Sequence, residues 1–132
     1  MILKSTAPFF AVAVNSAKPK ELAGFIYGLP TAHEEVSKKS MMDAKTAATG
    51  THLIICSHHF RDERADFARG LKLYLEMISK ITSPKIEKVS ILIRDNSQMD
   101  DAIDLGFHTK KYMGEEFEVE GQAQQTWFQK TL

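Results

Sequence analysis

Thr51-His-Leu-Ile-Ile-Cys56 and Val89-Ser-Ile-Leu-Ile93 are two short apolar runs rich in β-branched residues. Runs of this length bounded by polar residues predict strands buried on both faces. Between them Phe67, Leu71, Leu75 and Ile78 recur at spacings of four, four and three, and Ala68, Tyr74 and Ile81 fall on the same side. That stripe predicts an amphipathic helix. It should stop near Thr82-Ser83-Pro84, because proline lacks the N–H and its ring clashes with the preceding turn. A strand–helix–strand unit of this length predicts neighbouring parallel strands joined by a right-handed crossover.

Towards the C-terminus, Asp95-Asn96-Ser97 reads as a turn. Gln98 to Leu105 reads as a short helix with Gly106 as its C′ residue. Phe107 to Tyr112 and Glu116 to Val119 read as strands, and Gln125 to Lys130 closes the chain. Towards the N-terminus, Pro8 to Val14 reads as a strand ended by Asn15-Ser16. Leu22 to Tyr27 reads as a second strand, stopped by Gly28 and Pro30. The two are close enough to pair as a hairpin across Ser16 to Glu21. Thr31 to Thr49 is mostly polar and reads as a surface helix or an excursion. Gly50 closes it, and Glu35 and Lys39 would share one helical face. The expected organisation is one domain over 1–132, with a hairpin and polar excursion over 1–50 and the core over 51–132.

Lys plus Arg equals Asp plus Glu, 17 each. A neutral balance argues against a dedicated nucleic-acid binder, which needs a basic surface. No apolar run approaches the about 20 residues that span a bilayer, and Ala7 to Val14 suits a buried strand better than a signal-peptide core. Cys56 is the one cysteine, so no internal disulfide forms, which fits a reducing cytosol. The chain therefore reads as cytoplasmic and unprocessed, without a nucleic-acid or membrane partner.

The order from Thr51, strand, long helix, strand, short helix, strand, strand, resembles the second half of the GCN5-related N-acetyltransferase (GNAT) superfamily. Two segments carry the likeness. One is Val89-Ser-Ile-Leu-Ile-Arg-Asp-Asn96 followed by the short helix and Asp104-Leu-Gly-Phe107. The other is Leu53-Ile-Ile-Cys-Ser-His-His-Phe-Arg61, in the place of the family strand that runs into the pyrophosphate-binding turn. The resemblance implies an α/β fold: a mixed central sheet, a long crossover helix, a short second helix and a truncated N-terminal part. It also implies acetyl-CoA as cofactor and an amine as acceptor. Ser57, Arg61, Arg64, Ala65 and Asn96 would then lie at the cofactor, and His58 or His59 would be the base.

The departures are specific. Active members carry an Arg/Gln-x-x-Gly-x-Gly/Ala turn whose glycines let backbone N–H groups reach the pyrophosphate. The matching stretch here is Arg61-Asp-Glu-Arg-Ala-Asp66, with Arg64 and Asp66 in place of the glycines and with Asp62 and Glu63 adding negative charge. The tyrosine that many members use as general acid corresponds to Ala102. The family's first strand and leading helices are missing or shortened. In these respects the chain resembles small degenerate GNAT-like proteins of tailed phages, of the internal virion or assembly type.

Each candidate residue also has an ordinary structural role. Asn96 suits a turn after a strand. Arg61 and Arg64 suit phosphate, or a solvated pair with the neighbouring acids. His58 and His59 follow the predicted strand end, where ligands converge in open α/β sheets. His52, Cys56 and His58 have no standard zinc spacing, so no metal site is assigned. Cys56 suits a small buried hydrophobe, and Glu34 and Glu35 suit a solvated face. Trp127 and Phe128 suit either a partner surface or the core of the last strand. Two functions follow: a GNAT-type N-acyltransferase, weak or inactive at a degenerate acetyl-CoA site, or a non-catalytic phage virion, assembly or host-interaction protein, with a protein partner, that keeps the fold.

Overall fold

The structure is a computed structural model, described over residues 1–18, 20–32, 50–62, 65–82, 84–109 and 126–132. Its elements in chain order are β1 (Ile2–Ala7), β2 (Phe10–Val14), β3 (Leu22–Thr31), β4 (His52–Phe60), α1 (Asp66–Ser79), β5 (Lys88–Ile93), α2 (Asn96–Asp104), β6 (His108–Thr109) and β7 (Thr126–Thr131). The strands form one mixed sheet in the order β1-β2-β3-β4-β5-β7-β6. The polar segment expected over 31–49 and the strand expected over 116–119 lie largely or wholly outside the described residues.

The two apolar runs pair in parallel, from His52↔Lys88 to Ile55↔Ile91, and α1 crosses between them. The predicted stripe is the buried face of α1: Phe67, Leu71, Tyr74, Leu75 and Ile78, with Gly70 among them. These side chains join Leu53, Ile55, Val89, Ile91 and Phe128 of the sheet and Ala102 and Phe107 near α2 in one core. Residues on the opposite face of the same strands, His52, Ile54, Ser90 and Trp127, are buried too. Burial on both faces explains why Leu53–Ile55 and Ile91–Ile93 are apolar at every position and do not alternate. The two polar residues among them satisfy each other: His52 Nε2 lies 2.6 Å from Ser90 Oγ, which also accepts from Gln129 Nε2 at 3.3 Å. Trp127 and Phe128 both pack inside β7.

Several boundaries differ from expectation, each for a local reason. Ile2–Ala7 is a strand that the sequence reading missed, because its residues are mostly exposed and half of them are polar. Pro8 belongs to the turn that links β1 to β2, where Ala7 partners Phe10. Phe9 has φ 65°, the positive value that the third residue of a type II turn requires. A non-glycine residue holds it because the ring is buried and the carbonyl is doubly used. Phe9 O accepts Gly28 N–H at 3.0 Å and the Tyr74 hydroxyl at 2.5 Å. Two residues, Pro8 and Phe9, connect β1 to β2. β3 runs through Gly28 and Pro30 to Thr31. Its β2 partners end at Tyr27, so the missing N–H of Pro30 breaks no ladder on that side. The expected hairpin of β2 and β3 forms.

The short helix starts at Asn96, with Asp95 as N-cap. The Asp95 carboxylate accepts from Ser97 N–H at 2.8 Å and Gln98 N–H at 3.3 Å. At its end Gly106, with φ 94°, donates to Ile103 O, and Phe107 N–H donates to Ala102 O, each at 2.9 Å. This is a Schellman closure, as glycine at C′ favours. Lys130 Nζ adds a bond to Leu105 O at 2.6 Å. The expected strand from Phe107 is described only at His108–Thr109. No helix among the described residues is long and apolar enough to cross a membrane.

The contact that seats α1 is Phe60 against Gly70: a Cβ on Gly70 would overlap the Phe60 ring. Alanine at a helix interior gains about 1 kcal/mol over glycine, and overpacking costs about 1–3 kcal/mol. Gly70→Ala is therefore expected to lower stability by about 1 kcal/mol net. Tyr74→Phe, which removes the bond to Phe9 O, is expected to cost about 1 kcal/mol. Urea denaturation of both variants checks these signs, and a stabilised Gly70→Ala would contradict the packing.

Candidate functional site

β4 and β5 separate after Ile55↔Ile91, the last pair between them. β4 continues to Phe60 against β3 alone, with Gly28↔Ile55 and Tyr27↔Ser57 as successive pairs. Cys56 is the extra residue of this bulge, which bends β4 and increases its twist. A cavity of about 370 Å³ opens in the gap. Ile55, Cys56, Ser57 and His58 line it from β4, and Leu92, Arg94, Asp95 and Gln98 line it from β5 and the start of α2.

The structure divides the predicted site residues. His58 lies within β4 and lines the cavity. It faces α1, with its ring 5.2 Å from the Phe67 ring. His59 is on the other face, 6.4 Å from the Phe25 ring. Both were expected beyond the strand end, but β3 pairing carries β4 past them, to Phe60. Alternation within a strand then sends the two imidazoles to opposite faces. Ser57 lines the cavity. Asn96 is exposed at the first turn of α2 and is not part of the wall. Arg64 and the neighbouring Glu63 lie outside the described residues, as do Glu34 and Glu35.

Cys56 was expected to be buried; the bulge takes it out of alternation and exposes it to the cavity. Its Sγ donates to Ile54 O at 3.4 Å. The flanking walls still desolvate the sulfur, and this desolvation pushes the thiol up, with a backbone hydrogen bond at Leu29 opposing it more weakly. Among the described residues no group of three or more His, Cys, Asp or Glu could hold a metal ion.

The first two N–H groups at the start of α1, those of Ala65 and Asp66, donate to Asp62. Asp62 Oδ1 accepts from Ala65 N–H at 3.1 Å, and Asp62 O accepts from Asp66 N–H at 2.8 Å. Arg61 is turned to Glu21 Oε1 at 3.0 Å, with its side chain 68% exposed. Exposure at that level makes it a solvated pair of small energetic weight.

Solved structures share this architecture. The Arabidopsis thaliana NAA60 in complex with a bisubstrate analogue is 17% identical, with a TM-score of 0.60 over 92% of this chain and 74% of that one. The GphF GNAT-like decarboxylase in complex with isobutyryl-CoA is 13% identical, with a TM-score of 0.64 over 92% and 77%. The loading GNATL domain of CurA from Lyngbya majuscula is 11% identical, with a TM-score of 0.63 over 93% and 76%. The chain has a GNAT-like fold. No family model and no curated protein sequence matches it.

Within this GNAT-like fold the sequence reading missed Leu92, Arg94, Asp95 and Gln98 as wall residues. A signal for the last was available. Asp95-Asn-Ser-Gln98 has the spacing of a capping box, in which the N3 side chain reaches back to the N-cap N–H. Asp95 supplies its half of that box. Gln98 instead lines the cavity.

A raised thiol predicts slow alkylation of Cys56 at neutral pH despite its exposure, since the thiolate is the nucleophile. Iodoacetamide is expected to modify it more slowly than free cysteine at pH 7, with the rate climbing as pH rises beyond the ordinary thiol range. Mass spectrometry of timed samples measures both, and faster labelling than free cysteine at pH 7 would show an activated thiolate.

Proposed function

We propose that the chain binds an acyl thioester between β4 and β5 and transfers the acyl group slowly to an amine, with His58 as base. The observation that carries this is the β4 segment from Cys56 to His58, which lies beyond the last β4–β5 pair and lines one cavity with Leu92, Arg94 and Gln98. In this reading the thioester carbonyl lies against the β4 backbone near Ser57. Backbone N–H groups there stabilise the oxyanion that forms as the amine attacks. The C–N bond forms, His58 takes the proton of the attacking nitrogen, and the C–S bond breaks. The leaving thiolate takes its proton from solvent, because Ala102 is fully buried and carries none to give. A missing general acid costs about 10²–10⁴-fold in rate, so turnover is slow.

A second reading, a non-catalytic virion, assembly or host-interaction protein on the same fold, is favoured by the Asp62 contacts at α1 and by the buried Ala102. Release of free thiol from acetyl thioesters in the presence of small amines separates the two. The transfer reading expects release that drops about tenfold or more in His58→Ala and changes less than about twofold in His59→Ala. Equal losses in both variants, or no release above background, would favour the non-catalytic reading.

A further inference from the structure

Direct cross-strand partners share one face of a sheet. On β1–β4 the face away from α1 therefore carries three rows: Ile2–Val14–Leu22, Lys4–Val12–Phe25–His59 and Ala7–Phe10–Tyr27–Ser57. The ring contacts Phe10–Phe25, Phe10–Tyr27 and Phe25–His59 tie the last two rows together. The other face of these strands carries Ala11, Ala13 and Ile26, which pack in the core with α1. Leu22 is 60% exposed and Ile2 48%. With the half-buried Phe10, Val12, Phe25 and Tyr27 they make one continuous apolar patch, and such patches mark contact surfaces. The charge around it is positive. Lys4 stands in the second row, and Lys18 and Lys20 are exposed in the β2–β3 turn, next to Val14 and Leu22. The one carboxylate of that turn, Glu21, is engaged by Arg61.

α2 carries the complement. Asp100, Ile103 and Asp104 are exposed, and their spacing puts them on one helical face. Ile103 is 53% exposed, so Leu22, Ile103 and Ile2 are the three most exposed large apolar side chains among the described residues. The last turn of α2 holds no basic side chain, and carboxylates there oppose the helix dipole. Neither the exposed isoleucine nor these acids stabilises α2 itself. The two surfaces cannot meet within one copy: the patch is on the outer face at β1–β3, whereas α2 lies beside β5 and sends Ala102 into the core on the inner face.

We propose that copies of this chain associate head to tail, with the Ile103 face of α2 on one copy seated on the Ile2–Val14–Leu22 row of the next and with Asp100 and Asp104 against Lys4, Lys18 and Lys20. Opposite charges favour this pairing over two patches face to face, which would bring the lysines together. A contact between different surfaces of like copies leaves one of each unfilled, so it grows into a ring or a filament. The inference stands apart from the thioester reading of the cleft, because the α2 residues it uses are not those that line the cavity.

Sedimentation velocity of the full chain from micromolar to millimolar concentration tests it. The weight-average mass is expected to rise past that of a dimer, and added salt to reduce the rise, because exposed charges are screened. Leu22→Glu and Ile103→Ser, both at exposed positions, are each expected to weaken association by about tenfold or more, with circular dichroism confirming that the variants are folded. Each variant keeps one intact surface, so an equimolar mixture of the two is expected to form a heterodimer that grows no further. A chain that stays monomeric at millimolar concentration would overturn the proposal. So would association that Leu22→Glu removes and Ile103→Ser leaves unchanged, the mark of two patches pairing with each other.

Discussion

Four residue pairs, His52↔Lys88 to Ile55↔Ile91, are the only ladder among the described residues that joins the antiparallel strands β1–β4 to the strands β5, β7 and β6. Everything at the site depends on where this ladder starts and stops. Its start is fixed by buried polar pairing, His52 with Ser90 and Ser90 with Gln129, which tolerates no slip because a one-residue shift would turn every side chain to the other face. Its end is set by the Cys56 bulge, which bends β4 away while β3 still holds it. The cavity is the space left by that divergence.

Packing of α1 makes the divergence rigid. Phe60, at the far end of β4, lies against both Gly24 of β3 and Gly70 of α1, so the strand is held at its end, five residues beyond its last pair with β5. Tyr74, one helical turn beyond Gly70, ties α1 to the carbonyl of Phe9 in the β1–β2 turn. Burial raises the phenol, and the nearby Cys56 adds to this, which keeps the hydroxyl protonated and donating. One helix thus holds the N-terminal turn and the bulged strand together.

The two helix N-termini differ. Asp95 is the N-cap of α2, and its carboxylate accepts the Ser97 and Gln98 N–H groups. The N-cap of α1 is Ala65, with no side-chain cap, and the Asp62 carboxylate accepts the Ala65 N–H ahead of the helix. Such carboxylates complement the helix dipole. Gln98 of α2 lines the cavity, and ahead of α1 the carboxylate and carbonyl of Asp62 take up the N–H groups of Ala65 and Asp66. The carboxylates within α2 also crowd one another: slight desolvation first, then Asp104, Asp100 and Asp95, raise the carboxyl of Asp101.

The sequence by itself determined the crossover unit, because a helical stripe from Phe67 to Ile78 between two doubly buried runs has one common solution: parallel strands joined by a helix. It also determined the closure of α2 at Gly106, where positive φ favours glycine. It did not reveal β1, the full length of β3 and β4, or the bulge, since exposed and polar residues extend a strand only when a neighbour offers hydrogen bonds. Nor did it separate His58 from His59 or lift Cys56 out of the core. Those outcomes depend on the β3–β4 register and on the end of the β4–β5 ladder, both products of long-range pairing that no local pattern encodes.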